Sequence, residues 1–153
     1  MSKLAVHFSS KSDDWGTPPE LFDKLNAEFH FDFDACASLH NCKVANYATV
    51  YGLGVNWMDF KTVWCNPPYG RGIILPWVRK AYVSANLSDT GTVVVMLLPS
   101  RTDQPWYHTY IWDDENHTPR PGVEIRFLRG RLKFDGAESG APFPSMIVIF
   151  RPL

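Results

Sequence analysis

Cysteine is scarce in this chain: Cys36, Cys42 and Cys65 are its only three. An odd number without a CxxC pair cannot build a disulfide framework and points to a reducing compartment. Cys36, His40 and Cys42 lie close together, but a second ligand pair at zinc-site spacing is missing, so no metal is expected. Long apolar runs are also lacking. The longest, Val93 to Pro99, is far too short to cross a bilayer. No signal peptide is visible, so the expectation is a soluble cytoplasmic protein with no membrane partner. Net charge is only −1, which excludes a global electrostatic pull toward nucleic acid. The halves differ, however: residues 1–70 carry five Lys against eight acids, giving −3, and residues 71–153 carry ten Lys and Arg against eight, giving +2. A local basic surface in the second half is compatible with that asymmetry. No repeat, linker or low-complexity segment interrupts the chain.

What is present describes one domain. At 153 residues with 45% hydrophobic side chains, the chain buries a real core without staples. Residues 1–13 are polar and aperiodic and read as a loose lead-in to a single domain spanning 1–153. Thr17-Pro18-Pro19-Glu20 reads as a helix start, with Thr17 as N-cap, Pro18 at the first helical position and Glu20 completing a capping box. The helix predicted from it runs to about Phe29, with Leu21, Phe22, Leu25 and Phe29 on one face. Phe31 to Asp34 alternates apolar and acidic and reads as a strand, ending in small residues at Ala35-Cys36-Ala37-Ser38. Loops are expected over 39–59, with a short strand near Asn46 to Thr49.

Further on, Ile73 to Asn86 reads as a helix. Thr92 to Leu98 is a continuous β-branched run of the kind found in a strand covered on both faces. Pro105 to Trp112 suggests a short helix, Asp113 to Gly122 a loop, Val123 to Phe134 a strand, and Met146 to Phe150 a last buried strand. Alternating strand and helix signals followed by strands predict an α/β fold, with a mostly parallel central sheet and an antiparallel C-terminal edge.

One segment carries chemistry. Val63-Trp64-Cys65-Asn66-Pro67-Pro68-Tyr69-Gly70 is an apolar strand that stops at an amide, two prolines and a tyrosine. Proline cannot donate to a ladder, and Asn66, preceding a proline, is pushed toward extended geometry. By itself the segment is either a rigid turn or an active site. In open sheets ligands bind outside the strands' carboxyl ends, where Asp34-Ala35-Cys36-Ala37, Asn66 to Tyr69 and Pro99-Ser100-Arg101 all fall. The Asn66 side-chain carbonyl and the Pro67 main-chain carbonyl can together accept both protons of a flat amino group. Such acceptors free a lone pair otherwise delocalised into a ring, while charge building on nitrogen meets fixed dipoles. Tyr69 can stack on that ring and align it.

Asn66-Pro67-Pro68-Tyr69 resembles the catalytic (D/N)PPY motif of S-adenosylmethionine-dependent amino-group methyltransferases. From about Trp15 to Arg151 the chain resembles the small phage and prophage DNA N-6-adenine methyltransferase (Dam-like) family. Seven blocks carry the resemblance in the family's order: WGTPPELF (15–22), FDFDACAS (31–38), VWCNPPYG (63–70), WVRKA (77–81), LLPSRTDQPWYH (97–108), FLRGRLKF (127–134) and APFPSMIVIF (141–150).

The resemblance implies a Rossmann-like methyltransferase fold and transfer of a methyl group from S-adenosylmethionine to N6 of a flipped-out adenine in double-stranded DNA, with GATC-like sites as candidates. For a phage-encoded enzyme the location is the host cytoplasm. By it, Asn66, Pro67, Pro68 and Tyr69 are the catalytic candidates. Trp15, Thr17, Pro18, Asp34, Ala35, Cys36 and Asn66 border the cofactor. The FxGxG turn of the broader class is replaced by DACAS, and Asp59 stands as the candidate acid for the cofactor ribose. Arg101 and Trp106, with Arg129, Arg131 and Lys133, are the DNA-contact candidates. The last three also fit the solvated face of an edge strand. Two alternatives keep the fold: a methyltransferase of an RNA base or protein glutamine amide, and a nucleic-acid-binding relative without turnover. The few residues left for base reading lie in loops 101–122 and 135–143, and a homodimer would add contacts.

Overall fold

A computed structural model describes residues 15–37, 41–49 and 51–153. The lead-in at 1–13, Ser38 and His40 lie outside these residues. Among them, a five-stranded sheet is built from β1 (Phe33–Asp34), β2 (Thr62–Cys65), β3 (Val93–Pro99), β6 (Val123–Phe127) and β7 (Ser145–Phe150), in the order β1-β2-β3-β7-β6. β1, β2 and β3 pair in parallel, with Val63 opposite Val94 and Trp64 opposite Val95. β7 is antiparallel to both β3 and β6. Thus β6 runs with β1 to β3, and the one reversed strand lies second from the edge instead of at the edge as expected. The fold is mixed α/β.

β3 and β7 form the centre. Val94 to Leu98 and Met146 to Phe150 are all buried, which is why both segments lack polar alternation. Each such fully buried aliphatic contributes roughly 1.5–3 kcal/mol relative to exposure. Helix α1 (Pro19–Phe29) lays Phe22 against Phe31 and Trp64 beside β1 and β2. It ends at His30, whose φ of 55° is left-handed, and the main-chain and side-chain oxygens of Asn26 accept the N–H groups of His30 and Phe31. Helix α2 (Ile74–Ala81) buries Ile74, Trp77, Val78 and Ala81 and widens into a π-turn over Tyr82–Asn86. Helix α3 (Pro105–Tyr110) follows β3 and leads into a small hairpin, β4 (Trp112–Asp113) and β5 (Thr118–Pro119), where a loop was expected.

Three boundaries depart from sequence expectation for local reasons. Thr17 is not an N-cap: the helix starts at Pro19 with Pro18 before it, and no side chain caps it. β1 spans only Phe33–Asp34 because the Asp32 carboxylate takes the N–H groups of Lys61 and Thr62, where a ladder bond would otherwise form. β6 stops at Phe127 because the chain turns through Gly130 at φ +72°, so the alternation to Phe134 continues outside the sheet. The strand expected near Asn46 is a single parallel bridge between Asp34 and Tyr47.

Candidate active site

Asn66 follows directly on Cys65, the last residue of β2, and both ends of its side-chain amide are hydrogen-bonded. Nδ2 donates to the main-chain oxygen of Trp15 and, at 3.0 Å, to Thr17 Oγ1. Oδ1 accepts from the Tyr69 hydroxyl at 2.6 Å, and that hydroxyl also lies 3.0 Å from the Leu97 carbonyl of β3. Past Pro67 and Pro68, the Tyr69 side chain thus reaches from the end of β2 to β3. Burial pushes the Tyr69 phenol well above its ordinary pKa, so it keeps its proton and acts as a donor. Arg101, just past β3, donates from Nη1 to the Tyr69 main-chain oxygen at 2.8 Å. Asn66, Tyr69, Arg101, Thr17 and the Trp15 carbonyl therefore form one connected network.

The expected stacking platform is covered. Tyr69 is 2% exposed, and Phe134 and Phe143 meet its ring edge-on with centroids 6.1 and 5.7 Å away. Trp15 packs against the same two phenylalanines, 5.2 Å from each, and the Arg101 guanidinium lies 5.8 Å over the Phe143 ring. Phe134 and Phe143 were not singled out from sequence as site residues. The available signal was their position in the blocks FLRGRLKF and APFPSMIVIF, which says nothing of their pairing with Tyr69.

Asp34 stands at the carboxyl end of β1, 2% exposed. Its carboxylate accepts main-chain N–H groups from Lys43 at 3.1 Å and Cys36 at 3.4 Å and so ties both residues to the end of β1. Burial outweighs these bonds and raises its pKa to about 6. Ala35 is fully buried beside it, and Gly52 lies so close that a Cβ there would come within 1.8 Å of the Ala35 carbonyl oxygen. An open hollow of about 480 Å³ lies between the start of α1 and the segment after β6, lined by Pro18, Pro19, Glu20, Lys133, Phe134 and Asp135 among others.

Other candidates stand apart from this network. Asp59 is exposed in the turn that leads into β2, at the strand's amino end, where it bonds Asn56. Trp106 is a core residue at 5% exposure, with its ring against Tyr107. Arg129, Arg131 and Lys133 are exposed beyond the end of β6. Because β6 runs with β2, that segment leaves the sheet at the same end as Asn66. Among the described residues no three His, Cys, Asp or Glu side chains converge on a metal position.

An amide at the carboxyl end of a parallel strand, followed by two prolines and a tyrosine, is the arrangement of the (D/N)PPY methyltransferase class. The chain belongs to the DNA N-6-adenine-methyltransferase (Dam) family, whose sequence pattern matches residues 5–153. It is 31% identical over 153 residues to a "DNA N-6-adenine-methyltransferase" of Haemophilus phage HP1 (strain HP1c1), covering 94% of this chain and 81% of that relative. The family resemblance drawn from the seven blocks therefore holds.

Proposed function

We propose that this chain transfers the methyl group of S-adenosylmethionine to N6 of an adenine in double-stranded DNA. One observation carries the reading: in a chain of this family, Asn66 stands at the end of β2 with its amide nitrogen spent on Trp15 and Thr17 and its oxygen on the other side, where it accepts from the Tyr69 hydroxyl and keeps a second lone pair. An oxygen so placed accepts a proton of the target amine. The Pro67 carbonyl is the second acceptor, and the two together localise the nitrogen lone pair. No strong general base is required, since the amine sheds its proton to water after transfer.

S-adenosylmethionine supplies an electrophilic methyl group on a sulfonium, which leaves as a neutral thioether. Asp34, Ala35 and Cys36 at the end of β1, with Trp15 and Pro18 on the segment that meets Asn66, are the residues proposed to hold it, while the Thr17 hydroxyl is spent on Asn66. Glu20 and Lys133 add charges of both signs. Four of five strands running one way, with the site at their carboxyl ends, support a Rossmann-like methyltransferase fold.

The target adenine leaves the stack at a cost of a few kcal/mol, roughly, before reaching Asn66. Stacking on Tyr69 then requires Phe134 and Phe143 to move aside. Arg129, Arg131, Lys133 and Arg101 are the proposed phosphate contacts, which makes binding salt-dependent. GATC-like sites are the first targets to examine, and a second copy of the chain is a proposed source of further contacts. For a phage-encoded enzyme the reaction takes place in the host cytoplasm.

The test is methyl transfer from labelled S-adenosylmethionine to unmethylated DNA, RNA and protein in parallel, with nucleoside analysis of the product. N6-methyladenine in DNA supports the reading, and sequencing the modified positions gives the site. Label in RNA or on protein glutamine, or none despite cofactor binding, overturns the substrate. Asn66→Ala is expected to abolish turnover while cofactor binding persists.

A further inference from the structure

We propose that Thr17 is a positioning residue: together with the Trp15 carbonyl, which selects the amide's nitrogen end, its hydroxyl holds Asn66 with the oxygen toward the target amine; the inference rests on Asn66 being that amine's acceptor. A terminal amide has two ends of nearly equal size, exchanged by a half-turn about its last torsion. Only the oxygen end can accept an amine proton. The nitrogen end would set N–H against N–H. An asparagine in this role therefore needs its orientation imposed by neighbours.

Here the neighbours impose it by donor and acceptor count. Nδ2 carries two hydrogens, and they meet two oxygens: the Trp15 carbonyl, which can only accept and so selects the nitrogen end, and Thr17 Oγ1 at 3.0 Å, which holds the second hydrogen and fixes the plane of the amide. Turning the amide over would place Oδ1 against the Trp15 carbonyl, two acceptors with no proton between them. Tyr69 completes the arrangement on the other side. Its hydroxyl has one proton for two acceptors, Asn66 Oδ1 at 2.6 Å and Leu97 O at 3.0 Å, so rotation toward Leu97 leaves the Asn66 oxygen available to the incoming amine.

The 15–17 segment is itself held rigidly. The Gly16 carbonyl accepts the Asp135 N–H at 2.9 Å, and a Cβ at Gly16 would meet the Asp135 Cβ at 3.3 Å. The Trp15 ring packs against Phe134 and Phe143. Thr17 is buried at 4% exposure and is followed by Pro18, which removes backbone freedom immediately after it. Thr17 thus does not do the capping job that its sequence position suggested. It caps no helix, and its hydroxyl faces Asn66.

The experiment compares Thr17→Val, which keeps the shape and removes the acceptor, with Thr17→Ser, which keeps the hydroxyl. For each, kcat and the DNA KM are measured, and S-adenosylmethionine affinity is measured separately by calorimetry. Thr17→Val is expected to lose about tenfold in kcat, the loss of one hydrogen bond, with both affinities unchanged. Thr17→Ser is expected to restore the wild-type rate.

Wild-type kcat in Thr17→Val overturns the proposal. So does a Thr17→Val defect confined to cofactor affinity, which would make Thr17 a cofactor contact, or a Thr17→Ser variant as slow as Thr17→Val. Asn66→Ala run alongside separates the two levels, because its activity would sink the role of Asn66 and not merely its orientation. Should Thr17→Val fail to fold, the wild-type protein labelled with ¹⁵N decides. Slow exchange of both Asn66 side-chain hydrogens supports the lock, and exchange at the rate of a free asparagine overturns it.

Discussion

Arg101 Nη1 donates to the main-chain oxygen of Tyr69 at 2.8 Å, joining the residue just past β3 to the turn that ends β2. A charged donor on a carbonyl is worth about 1.5–3 kcal/mol when the acceptor cannot turn to water. Tyr69 O lies in a turn stiffened by two prolines and roofed by Phe143, over which the same guanidinium lies. Arg101→Ala should therefore let the turn relax and slow methyl transfer roughly ten- to a hundredfold. Arg101→Lys should recover part of the rate, since lysine can bond the carbonyl but cannot lay a planar group on Phe143. Equal rates in Arg101→Ala and wild type would remove Arg101 from the site.

Gly52 and Gly54 lie two residues apart in one turn, yet they should differ sharply on substitution. A Cβ on Gly52 would sit 1.8 Å from the Ala35 carbonyl oxygen, whereas nothing lies within 4 Å of a Cβ on Gly54. The obstruction at Gly52 is backbone, which cannot swing aside, so Gly52→Ala should cost at least about 3 kcal/mol. Gly54→Ala should stay within about 0.5 kcal/mol of wild type. Denaturant unfolding of the two variants checks this. Similar midpoints would mean that the turn does not pack on the end of β1.

Sequence patterning revealed elements whose cause is local. α1 follows from its apolar spacing and its prolines, β3 and β7 from unbroken β-branched and aliphatic runs, and the strand end at Asn66 from Pro67. Elements set by side chains substituting for backbone were not legible: Asp32 shortens β1, and nothing in FDFD announces that its second residue will take two N–H groups from Lys61 and Thr62. At the site, Asn66 and Tyr69 were legible as a motif. Their partners were not, because Trp15, Thr17, Leu97, Phe134 and Phe143 reach them across 28 to 51 residues of sequence in the hydrogen-bonded cases, and periodicity carries no information at that range. Tyr69 looked like an open aromatic face for the same reason, since its cover arrives from the far end of the chain.

Asp34 should give the protein a distinctive pH response. Burial raises its pKa to about 6 in the folded chain, against 3.8 as the ordinary value. Between those values the folded chain holds a proton that the unfolded chain has released. Stability from this group is therefore greatest below about pH 4 and declines as pH rises toward 6, by about 3 kcal/mol in all. Asp34→Asn should abolish that slope, seen as a wild-type minus variant difference in unfolding free energy across pH 4–7. If the ionised carboxylate also receives donors from S-adenosylmethionine, cofactor affinity should weaken as pH falls below about 6 in wild type and be flat in Asp34→Asn. A flat wild-type profile would leave Asp34 as the acceptor of the Cys36 and Lys43 N–H groups and nothing more.

His108 offers a second titration, with the opposite partner logic. Its Nδ1 lies 2.6 Å from Asp114 Oδ1 and its Nε2 2.6 Å from the Thr102 carbonyl. Both partners only accept, so both ring nitrogens must carry protons, and the imidazolium alone satisfies the pair. The Asp114 hydrogen bond is the main cause raising the His108 pKa above its ordinary value, followed by the bond to Thr102. The ring thus clasps the residue after Arg101 to the turn of the β4–β5 hairpin. A histidine whose pKa rises on folding adds stability that is complete below its unfolded pKa and lost as pH climbs through the folded one. The side chain is solvent-accessible, so salt should weaken the effect. Proton NMR titration should place His108 above 6.5, and Asp114→Asn should lower it while erasing the difference in melting temperature between pH 6 and pH 9. If the Asp114→Asn variant titrates like wild type, the contact does not persist in solution, and the segment following Arg101 is held by α3 alone.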